Sequence, residues 1–282
     1  MPVTPSSAAR LSASIVLYNS PLCMLQRVLE SLQQAAAMAV NEGELEAVVV
    51  YCVDNASGPG YRTSLRKLLD AFAQNERFRL ELLLQEHNRG FGAGHNAALN
   101  AASSDYHLVL NPDAELDACA LARGVAALAG DTGIALLSPG VRGPDGQTEF
   151  LCKRYPSVLL LALRGFAPAL LKRPFAARLA HYEMRRELSA DRPCEIDIAS
   201  GCCMLVRTSH LRAVGGFDED FFLYFEDFDL SLRLARTGRL MFFPAMEIVH
   251  HGGYASRKGW RHIGHFLRSA ARFFSRYGWR WL

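Results

Sequence analysis

The feature that most constrains the fold is a repeated alternation of short apolar runs with helical patterns in the first half of the sequence. The apolar runs are SASIVLY (12–18), EAVVVYCV (46–53), FRLELLL (78–84), YHLVL (106–110) and GIALLSP (133–139). Amphipathic or glycine-opened helical patterns separate them. Parallel strands need long crossover connections, usually helices. The alternation therefore predicts an α/β fold with a mostly parallel central sheet and helices on both faces.

The pattern changes after residue 138. The turn residues Asp145 and Gly146 predict a hairpin, and residues 155–190 are helical in pattern and basic. The run EIDIASGCCMLVR (195–207) predicts a further strand.

Composition excludes several classes of protein. The chain has 282 residues, half of them hydrophobic, which is enough for one large domain or two small ones. A net charge of +3 does not indicate a nucleic-acid partner. Seven scattered cysteines without a C-x-x-C pair favour reduced thiols. We find no secretory signal, and the longest apolar stretch, residues 158–171, is interrupted by Arg164. We expect a cytoplasmic protein.

Polar or glycine-rich residues follow each of the first four predicted strands. These are Tyr18 with Asn19, Asp54 with Asn55, the stretch EHNRGFGAGHN (86–96), and Asn111 with Asp113. Ligands of open α/β sheets bind beyond the carboxyl ends of the strands. Each cluster alone is also an ordinary turn former. Four clusters at one sheet edge favour a binding site there.

One part of the glycine-rich stretch offers an alternative. GAGHNA (92–97) fits the dinucleotide fingerprint G-x-G-x-x-A, which would indicate an NAD(P)-dependent oxidoreductase. That fingerprint should follow the first strand, whereas here it follows the third. The oxidoreductase is therefore the weaker hypothesis, and a non-catalytic nucleotide-binding protein is another.

Three acids open a predicted helix in YFEDFDLSLRLARTG (224–238). Glu226, Asp227 and Asp229 suit the first turn of a helix, where free backbone N–H groups favour negative charge. They also follow GGFDEDFFLYF (215–225), an aromatic run that would be unfavourable in water and that we expect to wall a pocket. Capping and catalysis are both open for these acids on this stretch alone.

Six motifs in order carry a resemblance to a known family. They are SIVLYNS (14–20), VDNASG (53–58), NRGFGAGHNAAL (88–99), LNPDAEL (110–116), GGFDEDFFLYFEDFDLSLR (215–233) and VHHGGYAS (249–256). With them the chain resembles family 2 glycosyltransferases of the rhamnosyltransferase type, which have the GT-A nucleotide-diphospho-sugar fold.

The resemblance implies a catalytic domain over residues 1–256, with 155–190 as a variable segment on the acceptor side. It also implies an inverting enzyme that moves L-rhamnose from dTDP-L-rhamnose to a hydroxyl of a saccharide or lipid-linked acceptor. Another UDP- or dTDP-sugar is the alternative donor.

The resemblance places a donor site at the strand ends. Its nucleotide-binding positions correspond to Tyr18, Asn19, Asp54, Asn55, Asn88, Gly90 and Asn111. It implies that Tyr18 lies on the nucleobase and that Asp54 accepts a hydrogen bond from a pyrimidine N–H. An aromatic face can stack on a base, and an ionised carboxylate is only an acceptor, so these residue types suit the two roles.

The same comparison assigns the chemistry. Asp227 corresponds to the general base, and Glu226 orients the acceptor or the start of the helix. Asp113 matches the last acid of the family's D-x-D motif, and Asn111 replaces the first. His250 is the compensating ligand for Mg²⁺ or Mn²⁺, although it also suits an ordinary strand end.

The last 26 residues, 257–282, contain no acid and carry an arginine at every fourth position from 268 to 280. They predict a basic amphipathic helix. Such a helix suits an anionic membrane surface, which would make the protein peripheral to the membrane. A helix docked on the domain with its arginines in water is the open alternative.

Overall fold

A computed structural model of the chain describes residues 8–252 and 260–282, and a mixed β-sheet forms its centre. The strand order is β3-β2-β1-β4-β8-β6-β9-β5, with β7 paired to β9. The strands are β1 (Ala9–Leu17), β2 (Leu45–Asp54), β3 (Phe78–Leu84), β4 (Tyr106–Leu110), β5 (Ala114–Leu116), β6 (Ile134–Arg142), β7 (Cys194–Glu195), β8 (Cys203–Arg207) and β9 (Arg239–His250).

Helices connect and cover these strands. They are α1 (Leu22–Asn41), α2 (Pro59–Asp70), α3 (Phe91–Ala101), α4 (Ala120–Gly130), α5 (Val158–Phe166), α6 (Ala169–Lys172), α7 (Ala176–Tyr182), α8 (Arg185–Leu188), α9 (Thr208–Ala213), α10 (Glu226–Leu234) and α11 (Trp260–Tyr277). The segment 155–190 is helical as predicted.

The first four strands of the sheet, β3, β2, β1 and β4, run parallel, as the alternation of strands and helices predicts. β8 is antiparallel to both β4 and β6. β9 runs parallel to β6 and antiparallel to β5. The carboxyl ends of β1, β2 and β4 therefore lie at one edge.

Alternate side chains of the central strands fill two different cores, because successive strand residues face opposite sides of a sheet. Leu108 belongs to the buried cluster that contains Leu25 of α1. Its neighbour Val109 belongs to the cluster that contains Leu99 of α3 and Leu230 of α10. Strands buried on both faces account for the continuous apolar runs in the sequence.

The C-terminal helix α11 packs on the rest of the protein. Phe273 and Phe274 are buried in a cluster with Phe221 and Phe225. The Ser269 hydroxyl donates a hydrogen bond to the Leu223 carbonyl at 2.9 Å. α11 is therefore docked on the domain, as the alternative expected, but its arginines do not all face water, because Arg276 bonds Asp218 and Asp229. Residues 257–259 lie outside the described part of the chain. Among the described residues no helix is both long and apolar enough to span a bilayer.

Two sequence-based assignments were wrong in detail. The helical pattern between the fourth and fifth apolar runs, ELDACALARGVAAL (115–128), predicts one helix. Instead, Ala114–Leu116 is the strand β5, which pairs with β9, and α4 begins only at Ala120. The stretch 195–207 is not one strand, because a turn at Gly201 separates Glu195 of β7 from β8. The backbone at this turn bonds a side chain of α10 instead of a neighbouring strand.

Candidate active site

A cleft of about 870 Å³ lies at the carboxyl edge of the parallel strands. Its walls come from the ends of β1 and β2, from the residues before α3, from residues 217–225, which we call the aromatic loop, and from α11. Its lining residues include Tyr18, Asn55, Asn88, Gly90, Phe91, Phe222, His262 and His265. The strand-end clusters at Tyr18, Asn55 and Asn88 thus meet in one cavity.

Asn55 holds the glycine-rich turn in place. Its side-chain amide donates to Asn88 Oδ1 at 3.0 Å and to the Gly90 carbonyl at 2.8 Å. Gly90 has a φ of 98°, and a Cβ there would lie 2.2 Å from the Phe222 carbonyl oxygen. The same oxygen accepts a hydrogen bond from the Phe91 N–H at 3.0 Å. Glycine is therefore required where the turn meets the aromatic loop.

Tyr18 and Asn19 lie at the mouth of the cleft. The Tyr18 side chain is 56% exposed and free to pair with a planar ligand. Asn19 has a φ of 50° and joins two loops. Its N–H donates to Ser57 Oγ at 2.9 Å, and its Oδ1 accepts from the Gly58 N–H at 3.4 Å. Asn19 therefore shapes the mouth through its own hydrogen bonds.

Asp54 differs from the expectation for a residue that reads a nucleobase. The side chain is fully buried, and Oδ2 accepts a hydrogen bond from Arg62 Nε at 2.6 Å. The Ser57 N–H lies 3.2–3.3 Å from its two oxygens. The carboxylate therefore has no accessible surface for a base, and its hydrogen bonds go to Arg62 of α2 and to the Ser57 N–H. Arg62 was not among the predicted site residues.

Asp113 and His250, predicted as metal ligands, are brought together by the pairing of β5 with β9, in which Ala114 is opposite His250. His250 Nε2 lies 3.7 Å from Asp113 Oδ1. That oxygen is buried and lacks a hydrogen-bond partner among the described residues. A buried carboxylate oxygen without a donor suits a divalent cation, since an unpartnered polar atom is otherwise unfavourable.

Glu149 was not predicted and orients this pair. Its Oε2 lies 2.9 Å from His250 Nδ1, which directs Nε2 of the same ring toward Asp113. A carboxylate on the far nitrogen is typical of a metal-binding histidine. The part of the chain that the structure describes holds no cluster of three or more His, Cys, Asp or Glu residues placed for a metal. An ion would therefore need further oxygens from substrate and water.

Asn111, at the end of β4, is held through its backbone. Its N–H donates to the Cys202 carbonyl at 2.8 Å, and its own carbonyl accepts from the Ala114 N–H at 3.3 Å. These bonds fix the turn that carries Asp113 against the strand β8.

The acid pair Glu226–Asp227 begins α10 directly after Tyr224 and Phe225, whose φ angles of 69° and 65° turn the chain sharply. Asp227 Oδ2 accepts from the Gly201 N–H at 3.0 Å, and Oδ1 accepts from the Phe228 N–H at 2.9 Å. A Cβ built on Gly201 would lie 3.1 Å from Phe91 and 3.5 Å from the Asp227 Cβ. Asp227 is thus close to the cleft wall.

The surroundings of Glu226 and Asp227 give the two carboxyl groups different pKa values. Burial raises the pKa of Glu226, and the neighbouring Asp227 charge raises it further. Burial also raises the pKa of Asp227, but the N–H groups of Gly201 and Phe228 and the charge of Arg164 oppose that rise. Glu226 is only 5% exposed, with one oxygen unpartnered in the described structure. Asp227 is therefore the acid that ionises first and can accept a proton.

Asp229, the third acid, ties α10 to α11. It is fully buried, and its Oδ1 accepts from Arg276 Nη1 and from the Tyr277 hydroxyl, both at 2.7 Å. Its Oδ2 accepts from Arg233 Nε at 2.7 Å. Every contact of this carboxylate is with a protein cation or hydroxyl, so Asp229 is a structural residue rather than part of the cleft.

Part of the chain is similar to curated proteins. One relative is the N-acetylglucosaminyl-diphospho-decaprenol L-rhamnosyltransferase of Mycobacterium tuberculosis, 33% identical over 156 residues. The alignment covers 54% of this chain and 48% of the relative, so the chain spans about half the length of the curated relative it matches.

Solved structures share the fold. GalNAc-T7 with UDP, GalNAc and Mn²⁺ superposes with a TM-score of 0.64 at 15% identity, over 95% of this chain and 48% of that one. The mannosyltransferase PcManGT of Pyrobaculum calidifontis, with GDP-Man and Mn²⁺, gives a TM-score of 0.61 at 18% identity, over 96% and 66%. The fold is therefore that of GT-A glycosyltransferases, as predicted.

The family model described as "Glycosyl transferase family 2" matches residues 12–215. This range includes the strand-end clusters, the glycine-rich turn and Asp113. The chain therefore belongs to glycosyl transferase family 2.

Proposed function

We propose that the protein is an inverting glycosyltransferase that moves L-rhamnose from dTDP-L-rhamnose to a hydroxyl of a lipid-linked saccharide. Family membership and the rhamnosyltransferase relative support this activity. The observation that carries it is the placement of Asp227 beside the cleft, with its carboxylate held by two backbone N–H groups. Another UDP- or dTDP-sugar remains the alternative donor.

Asp227 acts as the general base. As the acceptor oxygen bonds to the anomeric carbon, its proton passes to the Asp227 carboxylate, and the bond from that carbon to the diphosphate oxygen breaks. One direct displacement inverts the configuration and needs no covalent intermediate. The buried Glu226 carboxyl stays protonated beside it, which avoids two adjacent negative charges.

Asp113 and His250 would hold a divalent ion, with Glu149 orienting the histidine. When bound, such an ion neutralises charge on the departing diphosphate. Tyr18, Asn88 and Gly90 all line the cleft. In this proposal Tyr18 would stack on the thymine base, and Asn88 and Gly90 would lie next to the diphosphate. Recognition of the base by Asp54 would require its bond to Arg62 to open.

The test is Asp227→Asn. This variant keeps the side-chain size but only one acceptor oxygen, so one of the Gly201 and Phe228 N–H groups loses its acceptor. We expect a somewhat less stable but folded protein that binds dTDP normally. Transfer from dTDP-L-rhamnose to N-acetylglucosaminyl-diphospho-prenol should fall by about 10² to 10⁴. The matched control is Asp220→Asn in the aromatic loop, where the carboxylate is exposed and pairs with Arg272. Near-normal transfer by Asp227→Asn would assign Asp227 to helix capping and disprove its role as the base.

A further inference from the structure

A second cavity, which we call the α5–α11 groove, opens next to the cleft. Its volume is about 410 Å³, within the range of ligand sites at roughly 300–1,000 Å³. Leu161, Arg164 and Gly165 of α5 form one wall, and Ile263 and Phe266 of α11 form the other. His262 lines both the groove and the cleft, so the two cavities are adjacent.

The walls of the groove are apolar and its rim is cationic. Leu161, Ile263 and Phe266 contribute hydrocarbon and aromatic surface. Arg164 lies 3.6 Å from its carboxylate neighbour Glu183, and that same carboxylate bonds Arg185 at 2.7 Å. None of the described lining residues is an acid, and the Arg164 side chain is 47% exposed, so the rim offers a cation to a ligand. An occupant needs an apolar chain and an anionic group next to it.

The groove adjoins the site of proton transfer. Tyr224 lines it and stands three residues before Asp227, and the charge of Arg164 acts on the pKa of Asp227. A ligand with its chain in the groove would thus present its head toward the base. The exposed side chains Leu170 and Leu171 follow α5 and provide further apolar surface close in sequence to this wall.

We propose that the α5–α11 groove binds the first isoprene units of a polyprenyl-diphosphate acceptor, with its diphosphate at Arg164. This inference rests on the proposed transfer to a lipid-linked saccharide, and it assigns the α5–α11 groove as the binding site of the lipid. An acceptor built only of sugars would leave the apolar walls in water, whereas a prenyl chain covers them and matches the charge at the rim.

A glycine pair gives a clean test of occupancy. A Cβ at Gly165 meets no atom within 4 Å, so Gly165→Trp can fill the groove without disturbing the core. Gly264 on α11 is equally unobstructed and does not line the groove, so Gly264→Trp is the matched control. Farnesyl diphosphate, titrated below its micellar concentration, is the probe. We expect Gly165→Trp to weaken its binding at least tenfold and Gly264→Trp to leave it unchanged.

Charge is tested separately. Arg164→Gln should weaken farnesyl diphosphate at least fivefold and leave farnesol binding unaltered. In transfer assays, Gly165→Trp should raise the KM for a prenyl-linked acceptor and not for the methyl glycoside of the same sugar. The groove assignment is refuted if the wild-type protein does not bind farnesyl diphosphate, or if both tryptophan variants lose the same amount of affinity for it. Normal binding of this probe without rhamnosyl transfer would instead refute the proposed function and leave the groove assignment standing.

Discussion

Removing one hydroxyl, with Tyr277→Phe, tests whether α11 is an integral part of the catalytic domain. The Tyr277 hydroxyl donates at 2.7 Å to Oδ1 of Asp229, a fully buried carboxylate on the same helix as Asp227. Hydrogen bonds to buried charged groups contribute about 1.5–3 kcal/mol each. Because Arg276 still donates to the same oxygen, we expect the lower value, about 1.5 kcal/mol.

The measurement is urea unfolding, with an unchanged m-value and a lower midpoint. By thermal melting the same loss corresponds to a fall in Tm of roughly 3–6 °C. Tyr155→Phe is the matched control, because its hydroxyl bonds the neutral Gly278 carbonyl at 2.8 Å at an exposed position and its ring also contacts Phe273. That variant should lose less than about 1 kcal/mol.

Equal losses in the two phenylalanine variants would refute this reasoning. They would show that the Asp229 carboxylate gains nothing special from Tyr277 and that the link between α10 and α11 depends on aromatic packing alone. A change of under about 0.3 kcal/mol in Tyr277→Phe would have the same consequence.

Three further predictions concern metal binding, stability at low pH and binding to a lipid surface. In titration calorimetry with dTDP present, Glu149→Gln should weaken Mn²⁺ binding by about 10- to 100-fold, and Asp113→Ala should abolish it. Unchanged Mn²⁺ affinity in both variants would refute the proposed metal site. Burial lowers the pKa of His107 to about 4, against about 6.5 in the unfolded chain, so the contribution of His107 to the unfolding free energy should fall by about 3 kcal/mol as the pH drops from 6.5 to 4. The difference in unfolding free energy between the wild type and His107→Gln isolates this contribution, and a difference that does not change with pH contradicts it. Leu171 is an exposed apolar residue outside α11, so Leu171→Asp should reduce flotation of the protein with anionic vesicles. Wild-type protein that stays at the bottom of the flotation gradient would refute membrane association.

Sequence pattern was sufficient for the parallel half of the sheet. β3 and β4 have the predicted bounds, and β1 and β2 differ by a few residues, because strands buried on both faces are continuous apolar runs with clear ends. β5 was not predicted because a three-residue strand has too little pattern to stand out from the helix that follows it. Its existence depends on β9, which lies more than 120 residues further along the chain.

Side-chain contacts in the site that depend on residues far apart in the sequence were likewise not predicted. The resemblance paired Asp113 with His250, and the structure places them together. It gave no sign of Glu149 behind the histidine or of Arg62 on Asp54, because such pairs depend on rotamers and on how separate elements meet. An arginine eight residues after an acid, at the start of a helix, was the only local signal for the second pair.

The three acids of the stretch 224–238 have different partners, and the basic C-terminal helix α11 accounts for the difference. α11 has no acid of its own, so its arginines find carboxylates elsewhere: Arg272 bonds Asp220, and Arg276 bonds Asp218 and Asp229. Asp229 is neutralised in this way, whereas Glu226 and Asp227 are the acids to which the proposed function assigns roles at the site. The family match ends at residue 215, yet Phe222 and His265 line the cleft and stack with ring centroids 4.6 Å apart. The segment after the matched region therefore both completes the cleft wall and fixes the helix that carries Asp227.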